Sequence, residues 1–263
     1  MGRMDRGGIP PWGPPVCLIG FRWAPGTAEP LLLLANRDER YDRPAAPLAW
    51  WPGGRILAGR DLRAGGTWLG VSPDGRCAVV TNVRRAGLPH PEAPSRGRLT
   101  VRFLEGDRPA VAFLEGLRGE AGRYNPFNLL VFDGQDLLGY QSRDDRMIAL
   151  DAGLHLLSNG DFDEPWPKAE ALRERMAGAD PGDEAALLSL LEDDRPFEDA
   201  RLPRTGVPLD WERALSPIFV RTPAYGTRAS TLVRIGRETV SVTERRFGVG
   251  GPEGGLGFGF ARA

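Results

Sequence analysis

Short apolar runs separated by turn sequences fill the first ninety residues. Pro25-Gly26 separates the first two runs, and Asp74-Gly75, a typical hairpin turn, separates two later ones. Apolar runs of four to eight residues bounded by such turns are typical of strands. The predicted strands cover residues 17–23, 30–36, 55–61, 67–73 and 76–82. We therefore expect this part of the chain to fold as an antiparallel meander.

Helical and strand-like patterns alternate in the rest of the chain. Pro109 suits the first turn of one predicted helix, and Pro167 and Gly178 lie near the two ends of another. The predicted helices cover residues 98–106, 109–120, 166–178 and 183–194, and the predicted strands cover 128–134, 136–142, 153–159, 227–236 and 239–247. This order predicts an α+β fold of antiparallel sheets covered by helices.

The sequence shows no internal repeat and no linker, so we expect residues 17–250 to form a single domain. Residues 251–263 are predicted to be a Gly-rich C-terminal tail. Residues 1–16 are rich in Gly and Pro and have no periodicity, which indicates a disordered tail or a mis-annotated start.

Composition narrows the classes of partner. The 34 basic and 35 acidic residues give a net charge of −1, which provides no bulk attraction to nucleic acid or to a membrane surface. The longest aliphatic run, residues 31–35, is too short to span a bilayer, and residues 1–16 lack the apolar region of a secretory signal. We expect a soluble cytoplasmic protein.

Cysteine and histidine are scarce. Cys17 and Cys77 do not make a disulfide framework, although one bridge between them is an alternative that a reducing compartment disfavours. Cys77 alternates with apolar residues on its strand and reads as a structural thiol. His90 and His155 are the only histidines, so neither a zinc site nor a Ser–His–Asp triad is indicated. We expect no metal and no cofactor.

The basic residues are almost all arginine, since Lys168 is the only lysine in the chain. Together with the abundance of Ala, Gly and Pro, this indicates a GC-rich bacterial genome, in which the valine codon GTG often serves as a start codon. Val16 directly precedes Cys17. Translation that starts at Val16 would make Cys17 the first residue once the initiator methionine is removed.

The second predicted strand leads into ANRDERYDRP, residues 35–44, in which seven of the ten residues are charged or carry an amide. Charge density alone favours a solvated loop. The alternative is a polar cluster beside Cys17, formed by Asn36, Arg37, Asp38 and Glu39 at the end of the strand. Arginine near a thiol lowers the thiol pKa, and a carboxylate can orient an amine.

Five ordered blocks resemble the NRDE family, also called the Transport and Golgi organisation 2 family. They are CLIGF, LLLLANRDERYDRP, GGTWLGVSPDGRCAVVTNVR, LSNGDFDEPWPKAE and YGTRASTLVRI, and they run from Cys17 to about Gly236. The resemblance implies an N-terminal-nucleophile (Ntn) hydrolase-like fold, a four-layer αββα sandwich of antiparallel sheets. In that family the cysteine normally follows the initiator methionine, whereas sixteen residues precede Cys17 here. Either translation starts at Val16, which we favour, or the preceding segment is cleaved.

The resemblance also implies roles for individual residues. Cys17 would be the nucleophile and its own α-amine the general base, which requires that this nitrogen is not an amide. Arg37 would stabilise the thiolate and a substrate carboxylate. Asp38 would hold the α-amine, with Glu39 as the competing candidate. Independently of the resemblance, the seven tryptophans, including Trp68, are candidates to line an apolar acyl pocket, although aromatic residues at strand spacing more often belong to the core. We expect Glu39 and Trp68 to contribute to substrate binding.

Three further residues complete the implied site. Asn82 would donate its backbone N–H to the oxyanion, Asn159 its side-chain amide, and Arg228 would brace the site from a distance. Each also has a simpler interpretation, because asparagine commonly ends strands and Arg228 could be an exposed strand residue.

Two functions follow as hypotheses. The first is an enzyme that hydrolyses a non-peptide C–N amide bond of a small acylated substrate. The second is a non-catalytic carrier or homeostasis factor for haem or for acyl-CoA and lipid, as is suggested for eukaryotic relatives. The chain has no Cys-x-x-Cys-His sequence for covalent haem attachment, while transient haem binding through Cys17 or a histidine is compatible with it.

Overall fold

The computed structural model describes residues 17–84 and 90–263, which build two antiparallel sheets lying face to face. The segment predicted to be a disordered tail or a mis-annotated start, residues 1–16, lies outside the described residues.

The first sheet has six strands and contains both ends of the described chain. In spatial order they are β10 (Gly153–Leu157), β1 (Cys17–Trp23), β2 (Leu31–Arg40), β11 (Tyr225–Ile235), β12 (Thr239–Gly248) and β13 (Gly251–Ala261). All neighbours pair antiparallel. The strand that begins with Cys17 is therefore hydrogen-bonded on both sides.

The second sheet is a meander of seven strands in chain order. They are β3 (Ala45–Trp50), β4 (Leu57–Asp61), β5 (Leu69–Val71), β6 (Cys77–Asn82), β7 (Phe127–Phe132), β8 (Leu137–Gln141) and β9 (Arg146–Ala149). The predicted hairpin turn between β5 and β6 is present, with Gly75 at φ 80°, a value that glycine adopts without strain.

Helices cover the two outer faces. The α1 (Gly97–Glu105) and α2 (Ala110–Arg118) helices pack on the second sheet, and α3 (Pro167–Gly178) and α4 (Glu184–Ser189) pack on the first, while α5 (Leu209–Ala214) precedes β11. The resulting αββα layers confirm the predicted α+β fold and four-layer sandwich. No helix among the described residues is both long and apolar enough to cross a bilayer.

Strand β2 shows how the sequence produces these layers. Successive side chains of a strand point to opposite faces. Leu31 and Leu33 accordingly join the core between the sheets, whereas Leu32 and Leu34 pack under α3 and α4. The uninterrupted leucine run is therefore explained by burial on both faces.

Several predictions for individual elements need correction. The N-terminal strands do not form one meander, because β1 and β2 belong to the first sheet and β3 to β6 belong to the second. β3 and β9 were not predicted, and the helix predicted over residues 183–194 is shorter, covering Glu184–Ser189.

The predicted Gly-rich tail is instead a strand. β13 pairs with β12 along almost its whole length. Its Phe258 and Phe260 alternate with glycines and pack against the core between the sheets. Backbone pairing and two aromatic anchors thus overcome the low strand preference of glycine.

Candidate active site

Cys17 is the first residue of β1 and lies directly opposite Arg37 of β2. Its residue is only 8% exposed. The backbone N–H of Cys17 donates to Oδ1 of Asn159 at 3.3 Å, and its carbonyl accepts from the Ser158 hydroxyl at 2.9 Å. The start of β1 is therefore held by the segment that follows β10.

Asn159 connects the two sheets beside Cys17. Its Nδ2 donates to the carbonyl of Asn82, the last residue of β6, at 2.7 Å, and its own carbonyl accepts from the N–H of Arg84 at 2.7 Å. Asn82 and Asn159 are both buried. The structure thus brings together the two asparagines that the resemblance assigns to the oxyanion site and places Asn159 against the nitrogen of Cys17.

The Cys17 thiol is neutral at pH 7 in this environment. Burial, the largest effect, and the Asp38 carboxylate together raise the pKa of Cys17 to about 12. Arg37 and the backbone N–H of Asp38 both lower this pKa but are outweighed. The effect expected of Arg37 is present, yet it does not produce a resting thiolate.

The Asn-Arg-Asp-Glu sequence lies inside β2 and is entirely buried, so the interpretation as a solvated loop is wrong. These polar residues can be buried because each has partners. Asn36 faces the helices, where its Nδ2 donates to the carbonyls of Leu191 and Ile218, each at 2.9 Å, and its Oδ1 accepts from Ser230 at 2.6 Å. Asn36 therefore ties helix-layer segments to the sheet.

Arg37 faces the space between the sheets, on the same side as the Cys17 side chain. Its guanidinium lies over the Trp68 ring at 4.4 Å, and Nη2 is 3.6 Å from Oε2 of Glu39. Nη1 is buried and has no hydrogen-bond partner among the described residues. Glu39 is also 3.6 Å from Arg43. Trp68 and Glu39 thus orient Arg37 and leave one of its nitrogens for a ligand.

Asp38 faces the opposite side, toward the helices. Its Oδ1 accepts from the Thr227 hydroxyl at 2.6 Å, while Oδ2 has no partner in the described part of the chain. Burial raises the pKa of Asp38 to about 6, opposed chiefly by Lys168 and then by Thr227 and Arg84. Asp38 has a stronger electrostatic effect on Cys17 than Glu39 has.

A buried group of charges next to Asp38 was missed by the sequence reasoning. Arg84 follows β6 and pairs with Glu212 of α5 at 2.7 Å, both almost completely buried. Lys168, on the first turn of α3, is buried too, and burial lowers its pKa to about 8. The one available signal was that Lys168 is the only lysine in an arginine-rich chain.

Arg228 binds backbone carbonyl groups. It is the extra residue of a β-bulge between Thr227 and Ala229 on β11. Its Nε donates to the carbonyl of Phe247, and Nη1 donates to the carbonyls of Arg40, Tyr41 and Arg43. Arg228 therefore fixes the turn that follows β2.

A basic cleft of about 450 Å³ opens near the end of β2. Its lining includes Arg43, Arg63, Arg96 and Arg98, and no acidic residue is among the described residues that line it. Arg43 is paired with Asp61. Burial lowers the pKa of Arg96, while Cys17 and Glu39 oppose this shift, so Arg96 lies within electrostatic range of the site.

Cys77 and His155 have structural surroundings. Cys17 and Cys77 are both free thiols, so the alternative of a bridge between them is wrong. Cys77 lies in the core between the sheets. His155 Nδ1 is 2.7 Å from Asp163 Oδ2 and Nε2 is 2.8 Å from the Asp151 carbonyl. Among residues 17–84 and 90–263, no group of three His, Cys, Asp or Glu residues could hold a metal ion.

Comparison with known proteins gives consistent matches. The family described as Transport and Golgi organisation 2 matches residues 16–248. The chain is 32% identical over 260 residues to a Transport and Golgi organization protein 2 homolog of Bos taurus, covering 88% of this chain and 92% of that protein. It is 31% identical over 256 residues to the homolog of Homo sapiens, with the same coverage.

A likeness to a solved structure was also found. The Caenorhabditis elegans N-acylethanolamine-hydrolyzing acid amidase ortholog matches with a TM-score of 0.38 and 12% sequence identity, over 67% of this chain and 86% of that chain.

Proposed function

The chain belongs to the Transport and Golgi organisation 2 family, and we propose that it is a hydrolase that cleaves a non-peptide C–N amide bond of a small acylated substrate. In this proposal Cys17 is the first residue of the mature chain and supplies both the nucleophile and, through its α-amine, the general base.

The observation that carries the proposal is the environment of the Cys17 nitrogen and sulfur. The nitrogen is held by Asn159, and the sulfur lies on the side of Arg37 with the Asp38 backbone N–H near it. A buried structural thiol has no need of these groups, as the surroundings of Cys77 illustrate, where burial alone sets the pKa. The match to the family also begins at residue 16, directly before Cys17.

The reaction we propose has two steps. The α-amine accepts the thiol proton as Sγ attacks the carbonyl carbon, and the C–N bond then breaks while the α-ammonium protonates the departing amine. Water, deprotonated by the α-amine, next attacks the thioester and releases the carboxylic acid and the thiol. Because the resting thiol is neutral, base assistance at the moment of attack is essential.

We assign Asn82 and Asn159 to the oxyanion and Arg37 to the substrate. The backbone N–H of Asn82 and the side-chain amide of Asn159 would stabilise the oxyanion, and Nη1 of Arg37 would bind an acceptor group of the substrate. Asp38 is assigned to the α-amine in preference to Glu39, which is engaged with Arg37 and Arg43.

The first test is the intact mass of the protein isolated from its native host. A mass that corresponds to a chain beginning at Cys17 supports the proposal. A mass that includes residues 1–16 leaves the Cys17 nitrogen as an amide, which has no basic lone pair, and refutes the mechanism.

The second test is covalent labelling with an activated amide or ester. We expect mass spectrometry to find the acyl group on Cys17 in the wild type and in Cys77→Ser, the matched control for the other buried thiol. Cys17→Ala should not be labelled. Labelling of Cys77, or labelling that survives Cys17→Ala, would contradict the assignment.

The basic cleft favours a second candidate function, a carrier for an anionic ligand such as haem or acyl-CoA. Arg63, Arg96 and Arg98 line the cleft and make no ion pair with a described residue. A carrier would bind haem, seen as an absorbance shift, or acyl-CoA stoichiometrically, and binding would weaken in Arg63→Gln but not in Asn159→Ala. Arg55→Gln, an exposed arginine outside the cleft, is the control.

A further inference from the structure

Arg84 lies just beyond the end of β6 with its side chain only 1% exposed. Its Nη1 donates to Oε2 of Glu212 on α5 at 2.7 Å. Two other nitrogens of the guanidinium, Nε and Nη2, are buried without a hydrogen-bond partner among the described residues. Unpaired donors of a charged group are costly inside a protein, and a buried ion pair is often no more stable than apolar side chains in its place. Stability alone therefore does not explain an arginine at this position.

The backbone of the same residue binds Asn159, the candidate side-chain donor of the oxyanion site. The N–H of Arg84 donates to the carbonyl of Asn159 at 2.7 Å, and Nδ2 of Asn159 donates to the carbonyl of Asn82 at 2.7 Å. The short segment Asn82–Arg84 thus holds both the backbone and the side chain of Asn159. A displacement of this segment would move the amide that contacts the nitrogen of Cys17.

Two helical segments fix the side chain of Arg84. Its guanidinium lies over the ring of Trp166, directly before α3, at 4.8 Å from the ring centroid. The carboxylate of Glu212 is itself held, because Oε1 accepts from the hydroxyl and the N–H of Thr205 at 2.5 and 3.2 Å. Arg84 therefore contacts both ends of the segment that runs from Asn159 to Trp166.

We propose that Arg84 is a positioning residue for the oxyanion site and acts through Asn159. Glu212 and Trp166 hold the guanidinium, the guanidinium fixes the backbone of Arg84, and this backbone fixes Asn159 beside Cys17. Oxyanion donors are effective when they are in place before the reaction, and a misplacement of about 1 Å can cost about 10²-fold in rate. The inference rests on the proposed function for its catalytic consequence, while the anchoring of Asn159 belongs to the resting protein.

The anchoring can be measured without any substrate. In protein labelled with 15N in its asparagine side chains, the NMR signals of the Asn159 amide are assigned by their absence in Asn159→Ala. Their exchange with solvent reports how firmly this amide is held. We expect Arg84→Met to accelerate the exchange at least about tenfold, because the hydrogen bond to the Asn82 carbonyl opens more often. Unchanged exchange in folded Arg84→Met would overturn the anchoring.

Arg76→Met is the matched control. Arg76 is also a buried arginine over an aromatic ring, that of Phe103 at 4.0 Å, and its side chain donates to the carbonyls of Phe103 and Arg108. Its loss should destabilise the fold and leave the exchange of the Asn159 amide unchanged. Equal acceleration in the two variants would show that the amide responds to stability alone and would contradict the proposal.

The catalytic consequence is read from the rate of Cys17 acylation. In Arg84→Met we expect the maximal rate to fall at least about tenfold, with the reagent concentration for half of that rate within about twofold of the wild type. This split follows because an oxyanion donor stabilises the transition state more than the bound reagent. An unchanged maximal rate in folded Arg84→Met would refute the role.

A double variant separates positioning from stability. Arg84→Met and Glu212→Leu each leave one buried charge alone, whereas the combined variant has apolar side chains at both positions, so its thermal midpoint should recover. Acylation should stay low, since the anchor is still missing. Recovery of acylation together with the midpoint would make the role purely structural. If the midpoint does not recover, Arg76→Met supplies the comparison, and an equal loss of acylation there would overturn the proposal.

The two proposals fail in different ways. If the wild type is never acylated, the proposed hydrolase is wrong, yet the exchange of the Asn159 amide still decides whether Arg84 anchors it. If Arg84→Met does not fold, as circular dichroism would show, the double variant and Glu212→Gln decide the inference. Wild-type exchange and wild-type acylation in both of those variants would overturn it.

Discussion

At Cys17, opposing influences act on the same thiol. Burial and the Asp38 carboxylate favour the protonated form, while Arg37 and the Asp38 N–H favour the thiolate. Burial prevails, as it does at Cys77, whose pKa it raises to about 12. A thiol of this kind is protected from adventitious electrophiles and reacts when a base and a bound substrate are both present.

This protection predicts slow alkylation of the native protein. At pH 7.5, iodoacetamide should modify Cys17 and Cys77 at least about 100-fold more slowly than an exposed cysteine, because little thiolate is present. In denaturant both should react at the ordinary rate. Peptide mass spectrometry over time measures the two sites separately, and rapid modification of native Cys17 would contradict the burial of this side chain.

Asn159 offers a second prediction at the residue scale. Asn159→Ala removes the bond to the Cys17 nitrogen and the bond to the Asn82 carbonyl. We expect the rate of Cys17 acylation to fall by about 10²–10³, the usual cost of one oxyanion donor. The expected stability cost is about 1–3 kcal/mol.

Asn128→Ala is the matched control. It also removes a buried side-chain amide that donates to a backbone carbonyl, that of Gly160, but this amide does not contact Cys17. It should lower the thermal midpoint to a similar extent and retain acylation. Equal loss of acylation in the two variants would show that the effect of Asn159 is structural.

At the scale of elements, β10 is anchored through His155. Its hydrogen bond to Asp163 raises the pKa of His155, against the opposing effect of burial. Burial raises the pKa of Asp163, but the hydrogen bonds from His155, from the Leu156 N–H and from Arg173 outweigh it and lower that pKa to about 2. Asp163 also accepts from Leu156 N and from Arg173 of α3. The network fixes the strand that leads into Ser158 and Asn159.

The raised pKa sets the pH dependence of stability. The stabilisation is complete below pH 6.5, the unfolded value, and is lost as the pH rises through the raised value of the folded state. We expect the urea midpoint to fall from pH 6 to pH 8.5 in the wild type and this fall to shrink in His155→Gln. His90→Gln should retain it, and an unchanged slope in His155→Gln would contradict the assignment.

The C-terminal strand β13 is expected to contribute to stability despite its glycines. Phe260 packs edge-on to Trp50 at 5.0 Å between ring centroids. Phe260→Ala should therefore cost about 1–2 kcal/mol in denaturant unfolding. Val249→Ala, at a side chain that is 72% exposed, should be neutral. A neutral Phe260→Ala would mean that β13 is dispensable for the core.

The elements also show what the sequence could and could not predict. The periodicity of apolar residues located most strands and helices, because the side of each element that faces the core must be apolar. The same periodicity ended β2 too early, because a run of charged residues indicates a loop. The partners that allow these residues to be buried, such as Thr227 for Asp38 and Trp68 for Arg37, come from distant parts of the chain. The periodicity missed β13 because its pairing with β12, not its own composition, makes it a strand.

At the scale of the whole molecule, the candidate site is an assembly of both sheets and the helices. The resemblance supplied Cys17, Arg37, Asp38, Asn82 and Asn159 and their proposed roles. The structure brings the first four to the adjoining ends of β1, β2 and β6, and Asn159 reaches them from the segment after β10. The buried charges behind Asp38 could not be predicted in the same way, because Arg84, Lys168 and Glu212 meet only when three segments far apart in sequence pack together. The presence of a single lysine in the sequence did not indicate where in the fold Lys168 would lie.

The strand order has a consequence for how the protein is made. The bond that holds the Cys17 nitrogen closes over 142 residues, and the one that holds Asp38 closes over 189. Such non-local contacts form late and slowly in folding. In a nascent chain the cysteine therefore leaves the ribosome long before β11 is synthesised. The groups that would activate its thiol are assembled only when translation is almost complete.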